Sequence, residues 1–311
     1  MSSIDEHAER FTLLRPLLFT IAYEILGSAT ESDDVLQDSY LRWAQVDLTT
    51  VRDTKSYLAQ LVTRQALNAL RANARRREDY FGPWLPEPLL LTEHDAAADM
   101  VLAESVSMGM LVLLETLTPD ERAVFVLREV FGFDYDDIAT AVGKSVTAVR
   151  QMAYRAREYV QARRNRFGPI DTARTAELTE RFMTAVTTGD MAGLMSMLAP
   201  NVTWTTDSGG KATAAGQLVM TGAEQVASIL IALFGPIQRR PDMRIEPVNC
   251  NSEPAVAIYT GEHLEGVVLL EIVDGRVGNG YGIRNPDKLA ALAIARTISR
   301  DTHENPIAHQ E

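Results

Sequence analysis

The sequence has few of the features that mark secreted, membrane or metal-binding proteins. Among its 311 residues there is one cysteine, Cys250, so no internal disulfide can form, and no Cys/His cluster has zinc spacing. The longest mostly apolar run, Val226 to Phe234, is too short to cross a membrane, and the first residues lack the pattern of a signal peptide. We therefore expect a soluble cytoplasmic protein with no metal site.

The chain also has fewer bases than acids, and the bases are concentrated in two segments. The formal net charge is −12. Residues 55–77 contain six bases and no acid, and residues 144–166 contain seven bases and one acid. Two basic segments in an acidic protein are typical of two local surfaces for a polyanion, although two solvated helix faces would give the same pattern.

Periodicity and composition divide the chain into three blocks. Residues 1–77 and about 99–166 have apolar residues at helical spacing. A proline-rich segment, "EDYFGPWLPEPLLL" (residues 78–91, here called the strap), lies between them. After Gly168-Pro169, two helical stretches lead into β-rich segments joined by short turns. This order predicts two all-α blocks followed by an α+β domain.

The first basic segment has one polar and one apolar face when it is drawn as a helix. Arg64, Asn68, Arg71 and Arg75 fall at i, i+4, i+7 and i+11, opposite the apolar face. Arg and Asn side chains bind phosphates and read base edges, and this face contains no acid. The pattern therefore favours nucleic-acid binding over a solvated face.

The second basic segment, residues 134–160, has the pattern of a helix-turn-helix. Gly143 lies at the predicted turn, and Ser145 can cap the second helix. Its predicted outer face presents the residue types that a recognition helix offers to the major groove. These residues are Lys144, Thr147, Arg150, Gln151, Tyr154 and Arg155. A plain helical hairpin is the alternative interpretation.

Together these motifs resemble the bacterial extracytoplasmic-function (ECF) sigma factors over about the first 167 residues. "ESDDVLQDSYLRW" (31–43) is similar to their RNA polymerase clamp-docking segment. The 56–77 helix is similar to the helix that melts and reads the minus-ten element, and residues 117–158 to the domain that binds the minus-thirty-five element. The resemblance implies an alternative sigma factor whose partners are core RNA polymerase and promoter DNA.

The resemblance also implies roles for individual residues. Polymerase contact is implied for Asp34, Leu36, Gln37, Tyr40 and Trp43, although the apolar members of this set also fit core positions. Minus-ten contact is implied for Arg64, Asn68, Arg71, Arg75, Arg76 and Arg77. Minus-thirty-five contact is implied for Lys144, Ser145, Thr147, Arg150, Gln151, Tyr154 and Arg155. The loop 47–54 is expected to hold a flipped base.

The segment from residue 179 resembles the start of a SnoaL-like domain, a cone of the ketosteroid-isomerase type. Sigma factors with such a tail form a subgroup that shares "WLPEP" (84–88), a motif similar to "DSGGK" (207–211), and "NPDK" (285–288). In that subgroup the tail is thought to regulate in cis. The implied interdomain residues are Trp84, Leu85, Pro86, Asp207, Gly210, Lys211, Asn285, Pro286, Asp287 and Lys288.

These observations predict a multidomain chain. Two all-α sigma domains (1–80 and 104–167, the second with the helix-turn-helix) are joined by a proline-rich linker (81–103). An α+β conical SnoaL/NTF2-like domain (168–295) and a flexible tail (296–311) follow. We predict that "WLPEP" packs on the C-terminal domain near "DSGGK" or "NPDK"; a strap lying on its own helical domain is the alternative.

Two other functions remain open at this point. One is a DNA-binding regulator that works without polymerase and senses a small ligand through its tail. The other is an enzyme tethered by its helical domains, with Asp207, Glu262 or His263 as the base, but neither a shifted pKa nor an oxyanion partner is visible in the sequence. We expect no enzyme activity, no cofactor and no membrane partner; the ligand of the tail, if it has one, is unknown.

Overall fold

The computed structural model describes residues 3–73, 77–91, 99–164, 172–211, 219–235 and 242–300. A first helical segment is followed by the strap and by a second helical segment. The first consists of α1 (Ser3–Leu26), α2 (Ala29–Trp43), a 3₁₀ turn (Leu48–Thr50) and α3 (Thr54–Ala72). The second consists of α4 (Met100–Ser105), α5 (Met108–Leu114), α6 (Pro119–Phe125), a π-helical turn (Val126–Val130), α7 (Tyr135–Val142) and α8 (Val146–Arg164).

The C-terminal domain contains a six-stranded sheet and the helices that cover it. Its elements are α9 (Thr172–Thr188), α10 (Met191–Met197), β1 (Leu198–Asp207), β2 (Val219–Thr221), α11 (Ala223–Phe234), β3 (Met243–Cys250), β4 (Glu253–Thr260), β5 (His263–Val273), β6 (Arg276–Ile283), α12 (Pro286–Leu289) and a 3₁₀ turn (Ala290–Ala293). The strand order is β2-β1-β6-β5-β4-β3. β1 and β6 are parallel, and the other neighbours are antiparallel.

Local sequence accounts for several helix ends. Asp53 caps α3 by accepting a hydrogen bond from Lys55 N, and Thr118 and Glu121 form a reciprocal capping box on α6. Gly143 ends α7 with a φ of 70°, a left-handed conformation that suits glycine. The turn that the sequence predicts between the two helices of the helix-turn-helix is therefore confirmed.

The sheet is buried on both faces, and this explains the continuous apolar run of β5. Val268 and Leu270 point into a core with α9 and α11, while Val267 and Leu269 point to the opposite face. The alternation follows from the two-residue period of a strand. The opposite face packs on Met108 of α5 and on Leu85 of the strap. The C-terminal domain is therefore joined to the rest of the molecule by an apolar seam.

The two helical segments bury a common apolar core. This cluster contains residues of α1 to α3, residues of α4 to α8, Leu89 of the strap and Ile298. The sequence predicts the order of these helices correctly, and the shared core shows that they are packed against each other rather than separated along the strap.

The prediction of a flexible tail from residue 296 is wrong for residues 296–300. Ile298 is buried in the helical core, and Arg296 Nη2 lies 2.7 Å from Asp33 Oδ2 of α2. Ser299 N donates to Thr20 Oγ1 of α1 at 3.1 Å, and Arg300 Nε lies 2.8 Å from Asp99. These pairings hold residues 296–300 on α1 and α2 of the first helical segment and on Asp99, which caps α4 of the second.

Candidate nucleic-acid interface and interdomain contact

The outer face of α8 is open to solvent. Ser145 Oγ accepts from Ala148 N at 3.2 Å and caps the helix. The predicted buried face is confirmed, because Val149, Met152, Ala153, Ala156 and Val160 are all buried. All seven residues predicted to contact the minus-thirty-five element are exposed. Five of them line a shallow depression of about 430 Å³: Thr147, Arg150, Gln151, Tyr154 and Arg155. This face is therefore exposed in the arrangement that the structure shows.

The corresponding face of α3 is covered in part by α7 of the second helical segment. Arg64, Asn68 and Arg71 lie on the side of α3 away from its core. Asp137 of α7 accepts from Gln60 Nε2 and from Ser56 Oγ, both at 3.1 Å. These contacts occupy the first half of the helix that is predicted to read the minus-ten element.

Arginines of α3 make further contacts across this boundary. Arg64 Nη2 donates to Thr140 O, the C-terminal end of α7, at 3.2 Å. Arg71 Nη2 lies 2.8 Å from Asp120 Oδ1, and Lys144 Nζ lies 2.9 Å from Asp120 Oδ2. Asp120 therefore bridges the minus-ten helix and the start of the recognition helix. Arg75 and Arg76 lie outside the described residues.

Arg77 does not belong to the α3 face in this arrangement. Its Nη1 lies 2.6 Å from Glu115 Oε2, its Nη2 donates to Leu26 O at 2.6 Å, and its guanidinium lies 4.9 Å from the centroid of the Trp84 ring. The structure therefore places this residue at the junction of both helical segments with the strap. The sequence prediction grouped it with DNA-facing residues because it continues the basic run.

The strap is bound to the first helical segment through Glu87. Its carboxylate accepts from Ser28 Oγ at 2.8 Å and from Thr30 N at 3.0 Å, at the N-terminus of α2. A carboxylate at this position satisfies a free N–H and interacts favourably with the helix dipole. Sequence reasoning missed Glu87, although an acid within "WLPEP" was visible there.

On its other side the strap meets Asp207, a fully buried residue at the end of β1. Asp207 Oδ2 accepts from Leu85 N at 2.9 Å and lies 2.7 Å from Lys288 Nζ. Tyr80 OH donates to Asp207 Oδ1, and Lys288 Nζ also donates to Leu85 O. Burial lowers the pKa of Lys288, and the Asp207 carboxylate opposes this shift. The strap and the C-terminal domain are therefore joined around one buried ion pair, Asp207–Lys288.

Aromatic rings and one glycine complete this contact. Lys288 Nζ lies 3.4 Å from the centroid of the Trp84 ring, and Tyr80 packs edge-on to Trp84 with centroids 4.7 Å apart. Gly210 has a φ of 72°, and a Cβ there would lie 2.9 Å from Phe81. Only glycine tolerates both the conformation and the close approach. Tyr80 and Phe81 belong to the contact but were not predicted.

The "NPDK" residues lie beside the same contact. Asn285 caps α12 and donates from Nδ2 to Tyr80 OH at 2.8 Å. Pro286 begins α12 and is exposed. Asp287 and Lys211 form an exposed ion pair that joins "NPDK" to "DSGGK". Pro86 is buried within the strap. The structure thus places most of the residues predicted for the interdomain contact around Asp207 and Lys288, whereas Pro86 lies beside Gly27 of the first helical segment.

The apolar seam between α5 and the sheet also contains two buried carboxyl groups. Met108 N donates to Glu253 Oε2 at 3.0 Å, and Gly109 leaves room for Glu271, whose Oε2 accepts from Tyr281 OH at 2.6 Å. Burial raises the pKa of Glu253 to about 8, with a further contribution from Glu271, and burial also raises the pKa of Glu271. Protonation of these carboxyls therefore favours the packed seam.

In α2, the helix predicted to dock on polymerase, the exposed residues differ from those in the predicted set. Leu36 and Trp43 are fully buried, and Trp43 Nε1 donates to His7 O at 2.9 Å, so both side chains are core residues. Tyr40 is half-buried against Phe11. The exposed stripe at i, i+3, i+4 and i+7 is Asp34, Gln37, Asp38 and Leu41. Helical spacing alone could have identified Asp38 and Leu41.

Family models match the chain in three places: Sigma-70 region 2 at residues 11–76, Sigma-70 region 4 at 108–160 and the SnoaL-like domain at 179–279. The chain is 38% identical over 305 residues to the ECF RNA polymerase sigma factor SigJ of Mycobacterium tuberculosis, with 94% of this chain and 96% of that one covered. The chain belongs to the ECF RNA polymerase sigma factors.

Further comparisons support this assignment over the full length. This sigma factor is 26% identical over 294 residues to the probable ECF sigma factor SigI of M. tuberculosis, covering 94% and 98% of the two chains. Its structure matches the crystal structure of M. tuberculosis SigJ with a TM-score of 0.72 and 29% identity, covering 92% of this chain and 98% of that one. The predicted helical sigma domains followed by a SnoaL-like domain are confirmed.

As an alternative sigma factor, the protein directs RNA polymerase to specific promoters and initiates transcription; its partners are core polymerase and promoter DNA. The candidate bases of the C-terminal domain are not gathered in one place. Asp207 is paired with Lys288, while Glu262 and His263 are exposed at the β4–β5 turn. Within the described ranges, no cluster of possible metal ligands occurs and no helix could span a membrane.

Proposed function

We propose that the SnoaL-like domain of this sigma factor restrains it in cis by holding the two helical segments in a closed arrangement. The observation that carries the proposal is the buried Asp207–Lys288 pair, which binds the strap that connects the two DNA-reading segments. While the strap is held there, the segments cannot move apart along a promoter. The domain division proposed above (1–80, 81–103, 104–167 and 168–295) fits this role.

In the closed arrangement one of the two proposed DNA-binding helices, α3, is partly covered. Arg64 and Arg71 engage α7 and Asp120 instead of phosphates, and Asp137 blocks the neighbouring part of α3. Phosphate contact provides most of the affinity of proteins for DNA, so acids at this surface oppose binding. In the open state we assign minus-ten contact to Arg64, Asn68 and Arg71. Minus-thirty-five contact is assigned to the exposed face of α8.

We assign docking on core polymerase to the exposed stripe of α2. Asp34 and Gln37 are retained from the sequence prediction, and Asp38 and Leu41 are added, because Leu41 exposes 57% of its surface beside them. An exposed leucine between acids suits a partner surface that is apolar and basic. Because core polymerase is the partner, the chain acts in the cytoplasm.

The proposal is tested by transcription in vitro with purified core polymerase. The full chain, a truncation after Phe167 and the full-length variant Lys288→Met are compared on a cognate promoter. We expect the Lys288→Met variant to initiate more often than the full chain, because the buried Asp207 carboxylate loses its partner. Lys211→Met, which breaks an exposed ion pair in the same region, is the matched control. Equal rates for all four proteins would exclude restraint by the C-terminal domain.

A further inference from the structure

The turn between β3 and β4 lies in the interior of the molecule. Asn251 and Ser252 form a two-residue hairpin turn in which both have positive φ, 56° and 62°, and Cys250 pairs with Glu253 across it. Asparagine tolerates this left-handed conformation better than most residues. Hairpin turns usually face solvent, but Asn251 is fully buried. Its side chain therefore has partners that a solvent-exposed turn would not need.

Those partners belong to three different parts of the chain. Asn251 Nδ2 donates to Tyr23 OH of α1 and to Val106 O, between α4 and α5, both at 2.8 Å. Asn251 Oδ1 accepts from Leu89 N of the strap at 2.9 Å, and Asn251 N donates to Leu89 O at 2.9 Å. One amide thus joins the C-terminal domain to both helical segments and to the strap.

This contact is distant from the Asp207 contact. In the sheet order, β1 carries Asp207 and β3 is the far edge strand, with β6, β5 and β4 between them. A domain attached at one point can rotate about that point, whereas attachment at two separated points fixes its orientation. The Asp207 contact binds the strap at Leu85, and the Asn251 turn binds α1, the strap at Leu89 and Val106 between α4 and α5.

Tyr23 extends the contact further along the strap. Its hydroxyl accepts from Asn251 Nδ2 and donates to Glu87 O at 2.6 Å. All of these groups are buried, so each N–H and C=O that loses its partner also lacks water to replace it. Separation of the two helical segments therefore requires that Asn251 lose its buried hydrogen bonds to at least one of them.

We propose that Asn251 is a positioning residue that couples the SnoaL-like domain to both helical segments at once, and that release of this turn is a required step in opening. Only the expected effect of this coupling on transcription rests on the proposed restraint in cis. The coupling itself is a property of the closed molecule and is measured without polymerase. It predicts that loss of the Asn251 side chain opens the molecule although the Asp207–Lys288 pair is intact.

The test uses the full chain and the variants Asn251→Gly, Asn251→Asp and Ser252→Gly. Glycine accepts the positive φ, so Asn251→Gly removes the side chain and keeps the turn. Asn251→Asp has the same shape but cannot donate to Tyr23 or Val106. Ser252→Gly changes the same turn and serves as the control, because Ser252 Oγ is buried without a hydrogen-bond partner.

Small-angle scattering and amide hydrogen exchange report the result. We expect both Asn251 variants to increase the radius of gyration. We also expect exchange to rise roughly tenfold in peptides of α3 that face α7, which Asn251 does not touch. Ser252→Gly should resemble the unmodified chain. If both Asn251 variants are folded and match the control in scattering and in α3 exchange, the proposal is wrong.

Transcription separates this proposal from the restraint by the C-terminal domain. If Asn251→Gly opens the molecule without raising initiation, the coupling stands and restraint in cis fails. If Lys288→Met raises initiation while Asn251→Gly leaves the molecule closed and its initiation unchanged, restraint in cis stands and the role of Asn251 fails. Circular dichroism of each variant identifies one that has lost its fold, and the remaining Asn251 variant then decides the question.

Discussion

The two DNA-reading helices carry similar basic sequences but differ in accessibility. The outer face of α8 is exposed, and Tyr154 exposes 64% of its surface, although Lys144 pairs with Asp120 and Arg155 with Glu121 at its edge. The equivalent face of α3 is engaged by Asp120, Asp137 and Thr140. The closed molecule therefore presents its minus-thirty-five reader while it withholds its minus-ten reader. The proposed restraint in cis would therefore act on promoter melting more directly than on promoter search.

Of the changes that we propose, Asp207→Asn should have the largest effect on the difference in accessibility between α3 and α8. The change leaves the buried Lys288 ammonium without its carboxylate, and breaking a buried pair in this way costs about 3–5 kcal/mol. We expect faster proteolysis within the strap and a more exposed α3. Asp287→Asn, which affects an exposed pair nearby, is the control. A strap that resists protease equally in both variants would show that the pair does not hold it.

Raising the pH should open the seam between α5 and the sheet. In the closed molecule the pKa of Glu253 is about 8, against an ordinary value of 4.5 when the group is exposed. The closed state thus binds the proton more tightly and loses stability as the pH rises from 4.5 to 8, by at most about 1.4 kcal/mol per pH unit. Above that range the effect is constant.

Scattering of the full chain at pH 6 and pH 8 measures this effect. Glu253→Gln, which is neutral at both values, should reduce the dependence and leave the part that belongs to Glu271, whose pKa is also raised by burial, whereas the exposed Glu262→Gln should change nothing. Glu24 also has a pKa raised to about 8 by burial, but it lies between the helical segments and is unchanged in both variants. An equal pH response in the two variants would assign the dependence to another group.

Arg150→Ala should weaken DNA binding by the exposed face of α8 without changing the closed arrangement of the free chain. A side chain that contacts a base edge contributes about 1–3 kcal/mol, and one that contacts only phosphate contributes less. We expect weaker binding of the polymerase complex to promoters and unchanged scattering of the free chain. The binding is measured on promoters with single substitutions in the minus-thirty-five element. A loss that is uniform across all sequences would assign Arg150 to the backbone.

The smallest effect is expected from Asp120→Asn. This change frees Arg71 and Lys144, but both pairs are partly exposed, so each contributes about 0–1 kcal/mol and is screened by salt. We expect a modest gain in binding of minus-ten single strands by the free chain at low salt, measured by fluorescence anisotropy. Asp134→Asn is the control, because Asp134 is exposed and its ion pair with Arg128 is long. A gain that persists at high salt would not be electrostatic.

Sequence reasoning succeeded where burial follows from one helix and failed where it depends on packing between elements. The faces of α8 were predicted correctly because helical period alone separates Val149 from Arg150. Leu36 and Trp43 were assigned to polymerase by family position, and position in a motif does not reveal that α1 and α3 cover them. Residues 296–300 were predicted to be flexible. The sequence does not reveal that they are held in place, because their partners, such as Asp33, are far away along the chain.

The same reason explains why Asn251 could not be found in advance. Asn-Ser between two strands is typical of a solvent-exposed hairpin turn. Its partners Tyr23, Leu89 and Val106 are separated from it by 228, 162 and 145 residues. No local pattern encodes pairings at such distances, whereas a tryptophan among three prolines in a linker is locally unusual and suggested the strap contact.

The position of Glu87 has a consequence for assembly with polymerase. This carboxylate caps α2, whose exposed stripe is the proposed docking surface, while the neighbouring Leu85 is held by Asp207 and Lys288. The strap thus contacts both the helix of the proposed docking surface and the SnoaL-like domain. If docking displaces it, core enzyme and the SnoaL-like domain are competitors, and each must weaken the other by the same factor. Abundant core polymerase would then act as an activating ligand of its own initiation factor.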